Sequence, residues 1–417
     1  MRALTMHIKH KTLWHFNADA ATHCLVNHNL RFQPLIALLW LVILSFSVTA
    51  HAREWYIQPT VKMQFEADDN ILLRSDEKND VFGFKASFAA ISGTRTATSD
   101  IDLKTLVDVY HYWGQDNLDR VNVGLYGHSD FQITARNAIG LDADYVRDNT
   151  VTSELDTTGL TQNPIPRELF NVAPHWSYAL SELQSLQVQY KHEEVRYDND
   201  ANTSLTSYIT DSINLSFQHQ WQENLQYFIT YSSLWYRVTD FDREVNNHSV
   251  TTGMDYRYSE TLSFNFMVGA RFSGNSTTFA GITITDDSIG ALFGLGFNKQ
   301  FEQGYFNFDY SRSITPSSIG KLLQVDSIKF ASGYDLTRNL GLSLTAAINK
   351  TNSANDSERI YYSVEPKLIW RFNRQLNLSG SYRFRLQEYD SIDSRAVSNG
   401  FFVAINYQWD DFTNNRF

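Results

Sequence analysis

The feature that most constrains this chain is an alternation of apolar and polar residues that recurs segment after segment. Between 262 and 272, Leu262, Phe264, Phe266, Val268, Ala270 and Phe272 fall on one side, and Ser263, Asn265, Gly269 and Arg271 on the other. Residues 340–349 set Leu340, Leu342, Leu344, Ala346 and Ile348 against Gly341, Ser343, Thr345, Ala347 and Asn349. Residues 376–387 set Leu376, Leu378, Gly380, Tyr382, Phe384 and Leu386 against Asn377, Ser379, Ser381, Arg383, Arg385 and Gln387. Successive side chains of a strand point to opposite faces, so each stretch predicts a strand that is oily on one side only.

The pattern predicts eighteen strands, at 55–66, 81–91, 101–112, 119–126, 131–146, 169–180, 185–197, 206–221, 225–238, 248–258, 261–272, 288–301, 305–311, 323–336, 340–349, 359–372, 376–388 and 398–409; sixteen is the nearest other count. The connections narrow the fold. Tight turns are predicted at Gly127–Asp130, Ser181–Gln184, 222–224, Ser259–Glu260, 302–304, 337–339 and 373–375. Longer polar connections alternate with them at 67–80, 147–168, 198–205, 239–247, 273–287, 312–322, 350–358 and 389–397. Two connections fit less well: 92–100 is long for the short set and 113–118 short for the long set. One rim of turns and one rim of loops is the plan of a bacterial outer-membrane barrel. The predicted fold class is therefore all-β, a single antiparallel transmembrane β-barrel of about 16–18 strands.

Tryptophan supplies an independent check. Trp55, Trp113, Trp176, Trp221, Trp235, Trp370 and Trp409 all fall near the ends of predicted strands. Indole prefers the membrane–water interface, so these seven are expected to form the interface girdle. In lipid the apolar face must point outward, which sends the polar face into the lumen. Asp255, Arg257, Arg271, Asp309, Glu365, Lys367, Arg371, Arg383 and Arg385 are the lumen-facing candidates. They serve either as a weak anion-selective lining or as braces, for example Arg383 or Arg385 with Glu365 or Asp309, and bracing is preferred. The formal net charge is -11, so the excess acid is expected mainly in loops such as "EADDN", "TDFDRE", "TDDS" and "DSID".

The N-terminus is expected to leave the protein. "PLIALLWLVILSFSVTA" lies in a stretch without charge between Arg31 and Arg53, is preceded by Lys9 and Lys11, and is followed by the small-x-small triplet Ala50-His51-Ala52. This predicts a signal peptide over 1–52 with cleavage after Ala52, an uncleaved anchor being the alternative. Residues 53–417 then form the barrel, with a polar periplasmic tail at 410–417. The one cysteine, Cys24, is removed with the signal, which leaves no disulfide, no cysteine metal site and no thiol nucleophile. No run of Lys or Arg suggests nucleic acid as a partner.

No catalytic residue, metal site or cofactor is assigned. The strongest enzymatic candidate is His175-Trp176-Ser177, whose His and Ser share one strand face, as an outer-membrane acyl hydrolase needs. No third group to orient the imidazole can be identified, and packing beside Trp176 is the preferred explanation. His128-Ser129 and His248-Ser249 are adjacent and so point to opposite faces. The acidic clusters Asp68-Asp69-Asn70, Asp240 with Asp242, and Asp286-Asp287 lack the spacing of a dedicated cation site.

"WYIQPTVKMQFEADDNILL" at 55–73, "HWSYALSELQSLQVQY" at 175–190 and "YKHEEVRYDND" at 190–200 resemble outer-membrane barrels of the β-barrel porin 2 type, many of them associated with exosortase (PEP-CTERM) and exopolysaccharide loci. The resemblance implies a Gram-negative outer-membrane location and a part in envelope polysaccharide export or assembly, and it supplies no catalytic residue. The expected function is a passive pore or a component of such export. A non-conducting structural or adhesion barrel, plugged by the 147–168 loop, is a further alternative. Expected partners are outer-membrane lipid and lipopolysaccharide, envelope polysaccharide or its export proteins, and the barrel-insertion machinery acting on the closing strand 401–409. The chain ends "WDDFTNNRF"; Phe417 resembles a terminal insertion signal, but it is separated from Trp409 by polar residues.

Overall fold

A computed structural model describes residues 53–153, 164–198, 205–240, 242–279, 282–353, 356–389, 394–410 and 412–416. The signal-peptide segment and Phe417 lie outside them. The strands are β1 (Arg53–Asp68), β2 (Val81–Arg95), β3 (Ser99–Tyr112), β4 (Arg120–Thr134), β5 (Asn137–Asn149) and β6 (Pro166–Ala179). Then come β7 (Gln184–Tyr197), β8 (Tyr208–Gln222), β9 (Leu225–Val238), β10 (Arg243–Ser259), β11 (Leu262–Phe279), β12 (Ile282–Phe301) and β13 (Gly304–Pro316). The last are β14 (Leu322–Asp335), β15 (Leu340–Ser353), β16 (Asp356–Arg371), β17 (Leu376–Tyr389), β18 (Ser394–Gln408) and the short β19 (Phe412–Arg416). Each of the first eighteen pairs with its sequence neighbour, and β18 pairs antiparallel with β1 to close the ring. The result is an 18-strand antiparallel barrel.

Closure follows from the side-chain pattern. On β1, Ile57, Val61, Met63 and Phe65 are exposed, whereas Glu66 and Asp68 are buried. The same inversion holds on β18, where Phe401, Val403 and Ile405 are exposed and Phe402 and Ala404 are buried. An apolar face turned outward is stable only against lipid, and a ring without an edge satisfies every backbone group in the wall. The barrel is accordingly of the outer-membrane kind. Of the seven tryptophans, all but Trp409 are more than one-third exposed. Trp55, Trp176, Trp221, Trp370 and Trp409 lie towards the short-turn rim, and Trp113 and Trp235 towards the loop rim.

Outward-facing ion pairs crown the apolar belt on the loop side. Arg237 with Glu244, Arg196 with Glu194, Arg312 with Asp326, and Arg395 with Glu388 all sit in the loop-side part of their strands. The strands therefore run on past the hydrocarbon with polar groups on both faces. This is why much of 239–247 and 273–287, expected as loops, is strand: β10 begins at Arg243, β11 runs to Phe279 and β12 begins at Ile282.

Two further expectations change. The β4–β5 turn is at 135–136 instead of Gly127–Asp130, which lies within β4. Polar side chains are at home on a lumen wall, so Gly, Ser and Asp there do not signal a turn. The expected tail at 410–417 also differs, because Phe412–Arg416 forms β19 and pairs with Arg53–Ile57. Thr60 faces Gln408 and Ile57 faces Phe412, so four steps on the closing strand match three on β1. That is a one-residue bulge, and it moves the outward parity from odd to even numbers. Exposed Phe412 thereby comes beside exposed Ile57.

Candidate functional site: the lumen and its in-folded loops

The strand registers place the nine lumenal candidates opposite the exposed apolar residues of their own strands. Asp255 and Arg257 alternate with exposed Met254 and Tyr258, and line a recess of about 270 Å³ with Gln220, Glu223 and Asn265. Arg271 lies between Ala270 and exposed Phe272. Asp309 stands across from Lys329. Glu365, Lys367 and Arg371 alternate with exposed Val364, Leu368 and Trp370. Arg371 pairs with Asp335 of β14 at 2.7 Å. The wall is braced elsewhere by Lys85 with Asp108 at 2.8 Å and Arg167 with Asp148 at 2.9 Å.

Arg383 and Arg385 do not take the partners expected from sequence. Both turn to Asp68 at the top of β1, at 3.7 and 2.9 Å. The Asp68–Arg385 pair is almost wholly buried, with side chains 2% and 3% exposed. Its remaining valences are filled. Ser398 Oγ donates to Asp68 Oδ1 at 2.8 Å, and Asn70 N–H donates to the same oxygen at 2.9 Å. Arg385 also donates to the carbonyl of Ile71 at 3.2 Å. Asp69 accepts from both the backbone and the side-chain amide of Asn399, at 2.7 and 2.8 Å.

The "DDNILL" stretch is thus a docking segment. Its three polar residues tie the first loop, L1 (69–80), to β17 and β18. Ile71, Leu72 and Leu73 are then buried at 6%, 3% and 1% exposure. Ile71 and Leu72 pack with Val81, Tyr110, Tyr112 and Leu118, and with Val151 of the third loop, L3 (150–165). Leu73 packs with Tyr361 and Ala396. Its φ of 50° is left-handed, a conformation that costs a non-glycine residue about 1–2 kcal/mol. Beneath L1, Tyr112 hydrogen-bonds Glu66 of β1.

A second set of loops meets across the mouth. L4 (198–207) and L7 (317–321) join where Thr206 N–H donates to the Ser318 carbonyl at 2.7 Å, although β8 and β13 are five strands apart. Tyr236 Oη donates to the Ser317 carbonyl at 3.3 Å. Ile165, Val195, Leu205, Tyr208, Tyr236 and Val245 form the apolar cluster around this contact. L3 reaches both sets, because Val151 belongs with L1 and Ile165 with L4. Residues 154–163 of L3, the centre of the expected plug, lie outside the described residues.

Near the short-turn rim the wall carries a group that sequence reasoning missed. His128 Nδ1 is 2.6 Å from Asp142 and its Nε2 is 3.1 Å from Asp130. His175 Nε2 is 2.9 Å from Asp130 and its Nδ1 is 3.7 Å from Asp142. The two imidazoles stack at 6.4 Å and 16°. A lumenal recess of about 660 Å³ lies beside them, lined also by Gln132, Gln187 and Gln189. Asp130 supplies the third group that the His175–Ser177 pair lacked. Yet both nitrogens of His175 face carboxylates, so neither is directed at Ser177 to take its proton, and the arrangement is not that of a hydrolase. Three of the acidic residues likewise find protein partners: Asp68 and Asp69 anchor L1, and Asp240 accepts from Ser207 N–H at 3.0 Å.

No protein-family model matches the chain, and no curated protein matches it. Solved structures similar to it include Pseudomonas aeruginosa OpdK with vanillate, with 10% identity and a TM-score of 0.49 over 86% of this chain and 99% of that one. Acinetobacter baumannii OccAB2 has 13% identity and a TM-score of 0.47 over 86% and 98% of the two chains. Pseudomonas aeruginosa OpdO has 11% identity and a TM-score of 0.46 over 85% and 97%. The strand pairing itself makes the chain a closed β-barrel.

Proposed function

We propose that this chain is a passive channel of the Gram-negative outer membrane, whose lumen is narrowed from the loop side so that it passes small polar solutes. The observation that supports this most is the inward docking of L1. A loop held to the inner wall by a buried ion pair and three buried aliphatic residues is positioned to set the size of the passage. A polar, charged wall lets water and hydrophilic solutes pass, and the balance of Arg, Lys, Asp and Glu on it sets preference among ions. Liposome swelling tests the reading. Proteoliposomes should admit solutes such as glycine or arabinose and exclude oligosaccharides, and proteoliposomes no more permeable than protein-free ones would overturn it.

A role in envelope polysaccharide export or assembly extends the proposal, supported by the sequence resemblance alone. Deletion that leaves surface polysaccharide unchanged in amount and length would remove it. Maturation by cleavage after Ala52 belongs to the same reading, supported by the uncharged apolar stretch and the Ala50-His51-Ala52 triplet that precede Arg53. Edman sequencing of the membrane-extracted protein should begin at Arg53. Insertion is proposed to act on the closing strand 401–409, whose exposed Phe401, Val403 and Ile405 are proposed to face lipid and lipopolysaccharide.

A further inference from the structure

One hairpin rises past its neighbour with a bare edge. β11 and β12 stay paired up to Phe279↔Ile282, whereas β12 and β13 pair only from Phe301↔Gly304 up to Phe293↔Arg312. The two hairpins part above the apolar belt, whose upper limit is marked by the outward pair of Arg312 with Asp326 at 2.6 Å. The upper end of β13–β14 turns to the interior: Gln324 accepts from lumenal Arg271, and Leu322 packs on the cluster that holds Tyr236. The β11–β12 hairpin continues as a paired ladder, and β10 covers its other edge up to Arg243↔Thr277.

Residues 282–292 of β12 are therefore an unpartnered strand edge, about 35 Å long at the usual rise per residue, and it faces water. Gln300 N–H donates to the Thr261 carbonyl, so even-numbered residues of β12 bond β11 and odd-numbered ones point away from it. The N–H and C=O groups of Thr283, Thr285, Asp287, Ile289 and Ala291 thus line the bare side. Among the described residues no backbone hydrogen bond reaches them from there. Ile282, Ile284 and Ile289 are 68%, 67% and 81% exposed. Asp286 and Asp287 are exposed too, and neither carboxylate has a partner among the described residues.

A bare edge of β-branched residues is a template for strand addition. The charge on this edge selects the added strand. A second copy would set like against like. The antiparallel registers that use most of the edge place Asp286 opposite Asp286, or Asp287 opposite Asp287, and an in-register parallel pair keeps the aspartates of both copies side by side. We propose that residues 282–292 bind an extended basic segment of another protein, added antiparallel beside β12 on the loop side of the membrane. Two consecutive cations of that segment face Asp286 and Asp287, one on each face of the sheet. β-Branched residues flanking them cover Ile282, Ile284 and Ile289. The site stands apart from the lumen and from the docked L1, so it does not depend on the channel reading.

The test uses the full barrel in lipid nanodiscs and the fluorescence anisotropy of labelled, end-blocked peptides. The probe TVTVTKKTVTV should bind saturably. TVTVTEETVTV should bind about tenfold or more weakly, because attraction at each aspartate becomes repulsion. TVTPTKKPVTV should bind as weakly, since its prolines remove the two N–H groups that would meet Thr285 and Ile289. Asp286→Lys/Asp287→Lys should invert the preference between the lysine and glutamate peptides. Thr285→Pro should lose the lysine probe and keep the folded shift on unboiled gels, because the N–H it removes points away from β11. No saturable binding would overturn the proposal. So would equal binding of the lysine and glutamate peptides, equal binding of the lysine and proline peptides, or an unchanged preference in the charge-reversed protein. A purified barrel that dimerises in detergent, and no longer does so as Thr285→Pro, would assign the edge to a second copy and overturn it as well.

Discussion

Replacing Asp68 with Ala should release L1 from the wall while leaving the barrel intact. The substitution strips Arg385, 3% exposed, of its carboxylate and leaves a buried cation among hydroxyls and carbonyls. Breaking one side of such a pair costs about 3–5 kcal/mol, which is roughly two to four orders of magnitude in the docked-to-free ratio of the loop. What remains is the Asp69–Asn399 pair of hydrogen bonds, the Asn70 amide donating to the Val397 carbonyl, and the burial of Ile71, Leu72 and Leu73, each of these three side chains contributing about 1.5–3 kcal/mol before ordering costs. The ring of wall hydrogen bonds does not pass through Asp68's side chain, so the folded shift on unboiled gels should persist. Hydrogen exchange read by mass spectrometry should rise sharply in 69–80 and stay low in β1 and β18. Asp68→Leu with Arg385→Met removes both charges and should recover much of the protection, since no buried charge is then left alone. Unchanged exchange in 69–80 for Asp68→Ala would refute the anchoring argument.

Other consequences follow from the same contacts. Ile71→Ala should loosen L1 by about 2–5 kcal/mol through the cavity it leaves against Tyr110 and Leu118, visible as faster chymotrypsin cleavage of the loop. Removing 412–416 deletes five residue pairs with β1 at the short-turn rim, so refolding into liposomes should slow and Arg53–Ile57 should lose exchange protection.

The strand plan was legible because lipid and lumen impose opposite demands on alternate residues. All eighteen strands were recovered in order from that alternation, and the seven tryptophans expected at the interface lie towards strand ends. The signal weakened where both faces of a strand meet water. There 273–279 and 282–287 look like loop, because Asn275, Thr277 and Asp286 need no apolar neighbour above the membrane. It also failed at Gly127-His128-Ser129-Asp130, whose residue types favour turns in water yet line a lumen equally well. That one displaced turn hid His128 and Asp130 from the wall, and with them the group around His175. The docking of L1 was out of reach for a different reason. Asp68 and Arg385 are more than three hundred residues apart, and only the closure of β18 onto β1 brings them together.

Single-channel recording in planar bilayers tests the central claim most directly. The purified wild-type barrel should give discrete conductance steps, and Asp68→Ala, with L1 released, should give larger ones. Silence from both proteins, after insertion is confirmed by protease protection, would contradict a channel; steps of equal size would contradict a lumen narrowed by the docked loop.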